Sequence, residues 1–260
     1  MDILQEIAAR TRKRIEEQKK ILPPEILSGS HLLEHSENFA FENAIKESKD
    51  IALICEVKKA SPSKGIIAED FPYLDIAQNY EAAGAAAISV LTEPYYFMGS
   101  DKYLQEIRKA VKIPLLRKDF TVDPYMIYEA RYLGADAVLF ICAILDYHTL
   151  LEYMEIAENL GLSALVEVHN EEEVEMALKA GARIIGVNNR NLKTFEVDIG
   201  LSEKLRPLIP KGVTFIAESG IKTPGDISRL RNINAHAALI GESIMRSHDQ
   251  KAAVKELMGG

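Results

Sequence analysis

The chain has 260 residues, a formal net charge of −8, 47% hydrophobic and 27% charged residues. That is enough to build a full globular core without disulfide or metal staples, and the acidic balance argues against a nucleic-acid partner, which needs a basic face. No apolar run approaches the roughly 18 residues of a membrane span, the N-terminus lacks the apolar stretch of a signal peptide, and Cys55 and Cys142 have no CxxC spacing that would suggest zinc or thioredoxin chemistry.

Taken in chain order, Asp2–Lys20 and Asn38–Lys49 read as two helices with Pro23-Pro24 between them, expected to form a lid or a plug. From there the pattern alternates. Short apolar runs predict strands over Ile51–Lys58, Ala85–Leu91, Ile113–Lys118, Asp136–Ile141, Leu162–Val168, Arg183–Asn188, Val213–Glu218 and His236–Gly241. Segments of helical period separate them. Gly84, Gly134, Gly161 and Gly181 each follow such a segment and are immediately followed by the next strand, as left-handed helix caps do. Asp123-Pro124 and Thr223-Pro224 mark helix starts.

Eight βα units with near-continuous apolar strands predict an α/β fold, a (β/α)8 TIM barrel with an N-terminal helical extension. No GxGxxG or P-loop supports an open, doubly wound sheet. Residues 1–260 are expected to form one domain, with 1–50 as the extension. Both cysteines fall in apolar runs, which suits reduced core residues and a cytoplasmic location.

In such barrels the active site lies at the C-terminal strand ends. Those ends carry Glu56 and Lys58, then Lys118, Asp119 and Phe120, then Glu167 and His169. Further on come Asn188 and Arg190, Glu218 to Gly220, and Gly241 to Ser243. Two lysines and two glutamates in one pocket suit acid/base chemistry without a metal. The glycine-rich ends of the seventh and eighth strands suit a phosphate. Each residue alone has a plainer reading: Glu56–Lys58 as a structural ion pair, Glu167 as a cap for a helix starting near Asn170, Arg190 as a helix-end charge. Their coincidence at one place in each unit favours a site.

Other features carry less. His31 and His35 have helical metal spacing but lack the HExxH glutamate and a third ligand. Glu171, Glu172 and Glu173 read as a solvated first helical turn. Tyr95-Tyr96-Phe97 is either a loop anchor or a pocket wall for an aromatic ring. Tyr103, Tyr125, Tyr128 and Tyr132 read as helix–barrel packing.

The motifs at these ends, Cys55-Glu-Val-Lys-Lys-Ala-Ser-Pro-Ser-Lys-Gly65, Leu116-Arg-Lys-Asp-Phe120, Leu165-Val-Glu-Val-His169, Gly186-Val-Asn-Asn-Arg-Asn-Leu192, Glu218-Ser-Gly-Ile221 and Leu239-Ile-Gly-Glu-Ser243, resemble the indole-3-glycerol phosphate synthase family from about Phe39 to Arg246. The resemblance implies conversion of 1-(2-carboxyphenylamino)-1-deoxyribulose 5-phosphate to indole-3-glycerol phosphate, with loss of CO2 and water, no cofactor and no metal. It implies Lys118 as general acid, Glu167 as general base, Lys58 as the group that holds the substrate's carboxylate and assists proton transfer, and Glu56 as a support of the lysines that shares the acid/base duty. Asn188 and Arg190, with Glu218 and Ser219, would orient the substrate; Phe97 and Phe120 would line the anthranilate ring. Ser61, Gly220, Gly241 and Ser243 would grip the phosphate. The expected partner is this small phosphorylated substrate, with no nucleic acid or membrane. The chain is expected to be a monomer, with a weak homodimer as the alternative. The rival functions are another phosphosugar barrel enzyme, such as an isomerase or a Schiff-base aldolase, and a catalytically silent phosphate-binding barrel.

Overall fold

A computed structural model describes residues 3–27 and 39–259. Eight parallel strands close into a barrel: β1 (Ala52–Val57), β2 (Ala87–Leu91), β3 (Leu115–Lys118), β4 (Ala137–Ile141), β5 (Ser163–Val168), β6 (Ile184–Asn188), β7 (Thr214–Glu218) and β8 (Ala237–Ile240). All eight expected strands are present, each trimmed at an end. β1 pairs with both β2 and β8, which closes the ring.

Twelve α-helices occur among the described residues. Three precede the barrel: α1 (Ile3–Ile21), α2 (Pro24–Leu27) and α3 (Ala40–Lys46). The others are α4 (Tyr73–Ala83), α5 (Asp101–Ala110), α6 (Tyr125–Tyr132), α7 (Tyr147–Asn159), α8 (Glu171–Lys179), α9 (Gly200–Leu205), α10 (Pro224–Asn232), α11 (Glu242–Met245) and α12 (Gln250–Leu257). Gly84, Gly134, Gly161 and Gly181 all have positive φ, the conformation that ends a helix cheaply only at glycine. Thr223 caps α10 in a capping box with Asp226, and Asn170 caps α8. Asn170 leaves Glu167 without a capping role.

Strand side chains alternate between two faces. One set, including Leu53, Cys55, Val90, Phe140, Val166, Ile185 and Phe215, packs outward under the helices. The other set, including Ile54, Leu116, Leu139, Leu165, Ile216 and Leu239, fills the barrel. Both cysteines are buried and free.

The extension both covers and plugs. Phe41 and Ile45 of α3 join the barrel interior. Glu42 of the same helix accepts from Arg183 and its N–H donates to Ser163 Oγ, both at N-terminal strand ends, so α3 closes the bottom. Ile3, Leu4 and Ile7 of α1 instead line the cavity at the opposite end. His31 and His35 lie outside the described residues.

Candidate active site

The last inward-facing position of several strands is polar. On β1 it is Glu56, on β3 Lys118, on β5 Glu167, on β6 Asn188 and on β7 Glu218; apolar side chains fill the layers below. Their mouth holds a cavity of about 260 Å³. Glu56, Lys58, Ser61, Phe97, Lys118, Phe120, Glu167, Asn188, Arg190, Glu218, Ser219, Gly220, Gly241 and Ser243 all line it. These sequence-derived residues thus come together; His169, also read from a strand end, does not line the cavity.

Lys118 sits at the centre. Its Nζ donates to Glu167 Oε2 and to Glu218 Oε2, each at 3.1 Å. Burial favours the neutral amine, but Glu218, Glu167 and Glu56 outweigh it and hold the ammonium firmly protonated. Lys118 has anions for neighbours, which suits an acid and disfavours a nucleophilic amine. Glu167 is held well below the usual carboxylate range: burial opposes this, and Lys118 followed by His169 overcome it. Glu218 goes the other way. Burial pushes its carboxyl up to about 7, and the negative neighbours Glu167 and Glu56 add to this against Lys118.

Glu56 and Lys58 do form an ion pair, and both still face the cavity. The structural and functional readings of this pair are compatible. Two glycines make room for the carboxylates. A Cβ on Gly186 would come within 2.2 Å of Glu218 Oε1, and one on Gly241 within 2.4 Å of Glu56 Oε1. Gly241 thus leaves the space that the Glu56–Lys58 pair occupies.

The anion end is built differently. Ser219 and Gly220 both have left-handed backbones, φ 66 and 84, which bends the chain sharply after β7. A Cβ on Gly220 would meet Val197 at 2.6 Å. α11 begins after Gly241 without a side-chain cap, leaving its first N–H groups for another acceptor. Arg190 bridges this rim, 3.5 Å from Ser63 Oγ and 3.7 Å from Glu242.

The aromatic end joins Phe97 and Phe120, ring centroids 5.9 Å apart. Phe97 is placed by Glu93, a buried carboxylate that accepts from the N–H groups of Tyr95, Tyr96 and Phe97. The other two aromatics anchor the lid: Arg10 of α1 stacks on Tyr95 and Tyr96 Oη donates to Glu6. The triplet is both anchor and wall.

Sequence reasoning missed the buried network behind Lys118. Asp119 accepts from Arg14 of α1 and from Thr92, and Arg117 donates to Asp101 and Glu129. Charges inside the Leu116–Phe120 run were the available signal. It also misplaced Glu173: Glu171 and Glu172 are exposed, but Glu173 folds back onto His169, with its Oε2 accepting from the His169 backbone N–H and its Oε1 from Asn170 Nδ2.

The fold and this cavity define a class: a (β/α)8 enzyme with an acid/base cluster between an aromatic wall and an anion rim. The indole-3-glycerol phosphate synthase family model matches residues 4–257, and the chain belongs to that family. Similar proteins include the indole-3-glycerol phosphate synthase of Ruminiclostridium cellulolyticum, 58% identical with 99% of each chain covered. That of Endomicrobium trichonymphae is 55% identical over 98% of this chain and 99% of its own. Among solved structures, the 3-hexulose-6-phosphate synthase of Salmonella typhimurium is 13% identical with a TM-score of 0.66, covering 80% of this chain and 97% of that one; this likeness concerns the fold alone.

Proposed function

We propose that this cavity closes the pyrrole ring of indole-3-glycerol phosphate, with Lys118 as the general acid and Glu167 as the general base. Family membership makes the chain a decarboxylating lyase of tryptophan biosynthesis. The observation that carries the residue roles is the position of Lys118, protonated and 3.1 Å from two carboxylates of unlike proton affinity.

The substrate is 1-(2-carboxyphenylamino)-1-deoxyribulose 5-phosphate. Its ring lies against Phe97 and Phe120, its phosphate against Ser61, Gly220, Gly241 and Ser243, and its carboxylate near Lys58. Asn188, Arg190 and Ser219 orient the chain between these ends. Holding both ends places the carboxylate-bearing ring carbon against the ketone. That carbon attacks, and Lys118 protonates the ketone oxygen as charge develops on it. The bond to CO2 then breaks and its electrons restore the aromatic ring. In the last step the new hydroxyl leaves as water with a proton from a lysine, while Glu167 removes a proton from the neighbouring carbon. Two protons are given and one is taken, so each turnover draws one from solvent. Glu56 pairs with Lys58 and holds it in place.

The test follows indole fluorescence after mixing enzyme with this substrate; its absence at high enzyme concentration would sink the proposal. In Lys118→Ala, turnover should fall by about 10³ while substrate still binds by calorimetry. Substantial residual ring closure would move the acid role to Lys58. A Schiff-base aldolase needs a neutral lysine, which the carboxylates around Lys118 oppose; borohydride plus a keto substrate should leave no adduct. The reading also takes the cytoplasm as the enzyme's location. No helix among the described residues is long and apolar enough to cross a membrane.

A further inference from the structure

His169 follows β5 but does not line the cavity. Its ring connects the cavity's base to α8. Nε2 lies 3.3 Å from Glu167 Oε1, and Nδ1 lies 3.2 Å from Glu173 Oε2. Lys118 occupies the other oxygen of Glu167, so the carboxylate is gripped by a cation on each side. Glu173 is itself fixed. Its Oε2 also accepts from the His169 backbone N–H at 2.8 Å, its Oε1 accepts from Asn170 Nδ2 at 2.8 Å, and its N–H donates to Asn170 Oδ1. The first turn of α8 is thus a bracket for the imidazole. Nε2 is buried and makes no aligned hydrogen bond among the described residues. Its contact with Glu167 is electrostatic at rest, and contacts of this kind often tighten only when substrate is bound.

We infer that His169 is a positioning residue, an imidazolium strut braced by Glu173 that holds Glu167 ionised and correctly rotated for proton abstraction. This rests on Glu167 being the general base. Burial alone would favour a neutral ring, but Glu167 and Glu173 lift the imidazole to about 10, so it carries charge at neutral pH. The remaining neighbours do not compete. The Cys142 thiol, on the turn after β4, is pushed up to about 12 by burial and is neutral; Lys118 on β3 acts on the far oxygen of Glu167; Glu171 and Glu172 are in solvent. Once Glu167 has taken a proton, the cation beside it favours release, which resets the base.

Two variants test the strut by the pH dependence of kcat. His169→Gln keeps a donor and loses the charge. Its acidic limb should move up by about one pH unit or more, the effect of removing an opposite charge within ~4 Å, and kcat should fall far more than KM changes. Glu173→Gln keeps the α8 cap but removes one of the carboxylates that charge the ring. The imidazole then loses its proton at lower pH, so the alkaline limb should move down. Circular dichroism and thermal midpoints confirm folding, and Glu173→Gln serves if His169→Gln fails to fold. An unshifted acidic limb in folded His169→Gln, or an unshifted alkaline limb in Glu173→Gln, overturns the strut. Full turnover in Glu167→Gln would instead overturn the reading of Glu167 as the base.

Discussion

Glu167 and Glu218 are the same residue type, both almost fully buried and both 3.1 Å from one ammonium, yet their proton affinities diverge. The cause lies in the second neighbour. Glu167 has His169 beside its free oxygen, whereas Glu218 Oε1 has no partner among the described residues and lies over Gly186. A carboxylate with two cations stays ionised; one with a single shared cation and negative neighbours retains its proton more readily. Gly186 is part of this arrangement. In Gly186→Ala the new methyl would strike Glu218 Oε1, whose other oxygen is tied to Lys118, and also touch Leu165. The expected cost is about 1–3 kcal/mol of stability by overpacking, read by urea denaturation, together with a loss of kcat as Glu218 is displaced. Wild-type kcat in this variant would show that the position of Glu218 does not matter to turnover.

At the scale of elements, α1 is held over the mouth by apolar packing of Ala8 and Ile15 with Val122, Tyr125 and Met126 and by charge. Arg14 reaches the buried Asp119, next in chain to Lys118, and Lys19 reaches Asp123. Asp119 is held below the usual carboxylate range: burial opposes this, and Arg14 and Arg117 outweigh it. In Arg14→Ala, Asp119 keeps Thr92 and a longer contact to Arg117 at 3.9 Å, and the loss of a charged hydrogen bond should cost about 2 kcal/mol. Release of α1 would also withdraw Ile3, Leu4 and Ile7 from the cavity and raise KM. The sign of the pH effect follows. A carboxylate whose folded proton affinity is depressed stabilises above its unfolded pKa and loses that contribution as pH falls. Arg14→Ala should therefore flatten the loss of stability on acidification, measured by denaturation at a series of pH values. A slope identical to the parent's would show that the Arg14–Asp119 pair is energetically silent.

At the scale of the whole molecule, the two barrel ends divide the work. The bottom is closed by Phe41, fully buried, and Ile45; the top carries the charged cluster. Phe41→Ala should cost about 3–5 kcal/mol, seen as a lower denaturation midpoint, while kcat at a temperature where the protein is folded changes little. A large fall in kcat would mean that the plug transmits to the top, against the usual separation of stability and catalysis in this fold.

The repeating chemistry of the chain determined the barrel. Apolar runs ended by glycine-capped helices are local patterns, and local sterics decide them. Strand polarity then put Glu56, Lys118, Glu167 and Glu218 at one end, because the C-terminal end of every parallel strand faces the same way. What local patterns could not decide was which of these residues touch. Lys118 meets Glu167 and Glu218 across 49 and 100 residues of sequence, and Arg14 meets Asp119 across 105. Those pairings depend on strand tilt and stagger around the closed ring, which no single strand encodes. The same holds for His169 and Glu173: in sequence one is a polar residue at a strand end and the other belongs to a solvated first helical turn. Only the packing of α8 against the end of β5 sets the imidazole between two carboxylates, where burial and opposite charge give it a role.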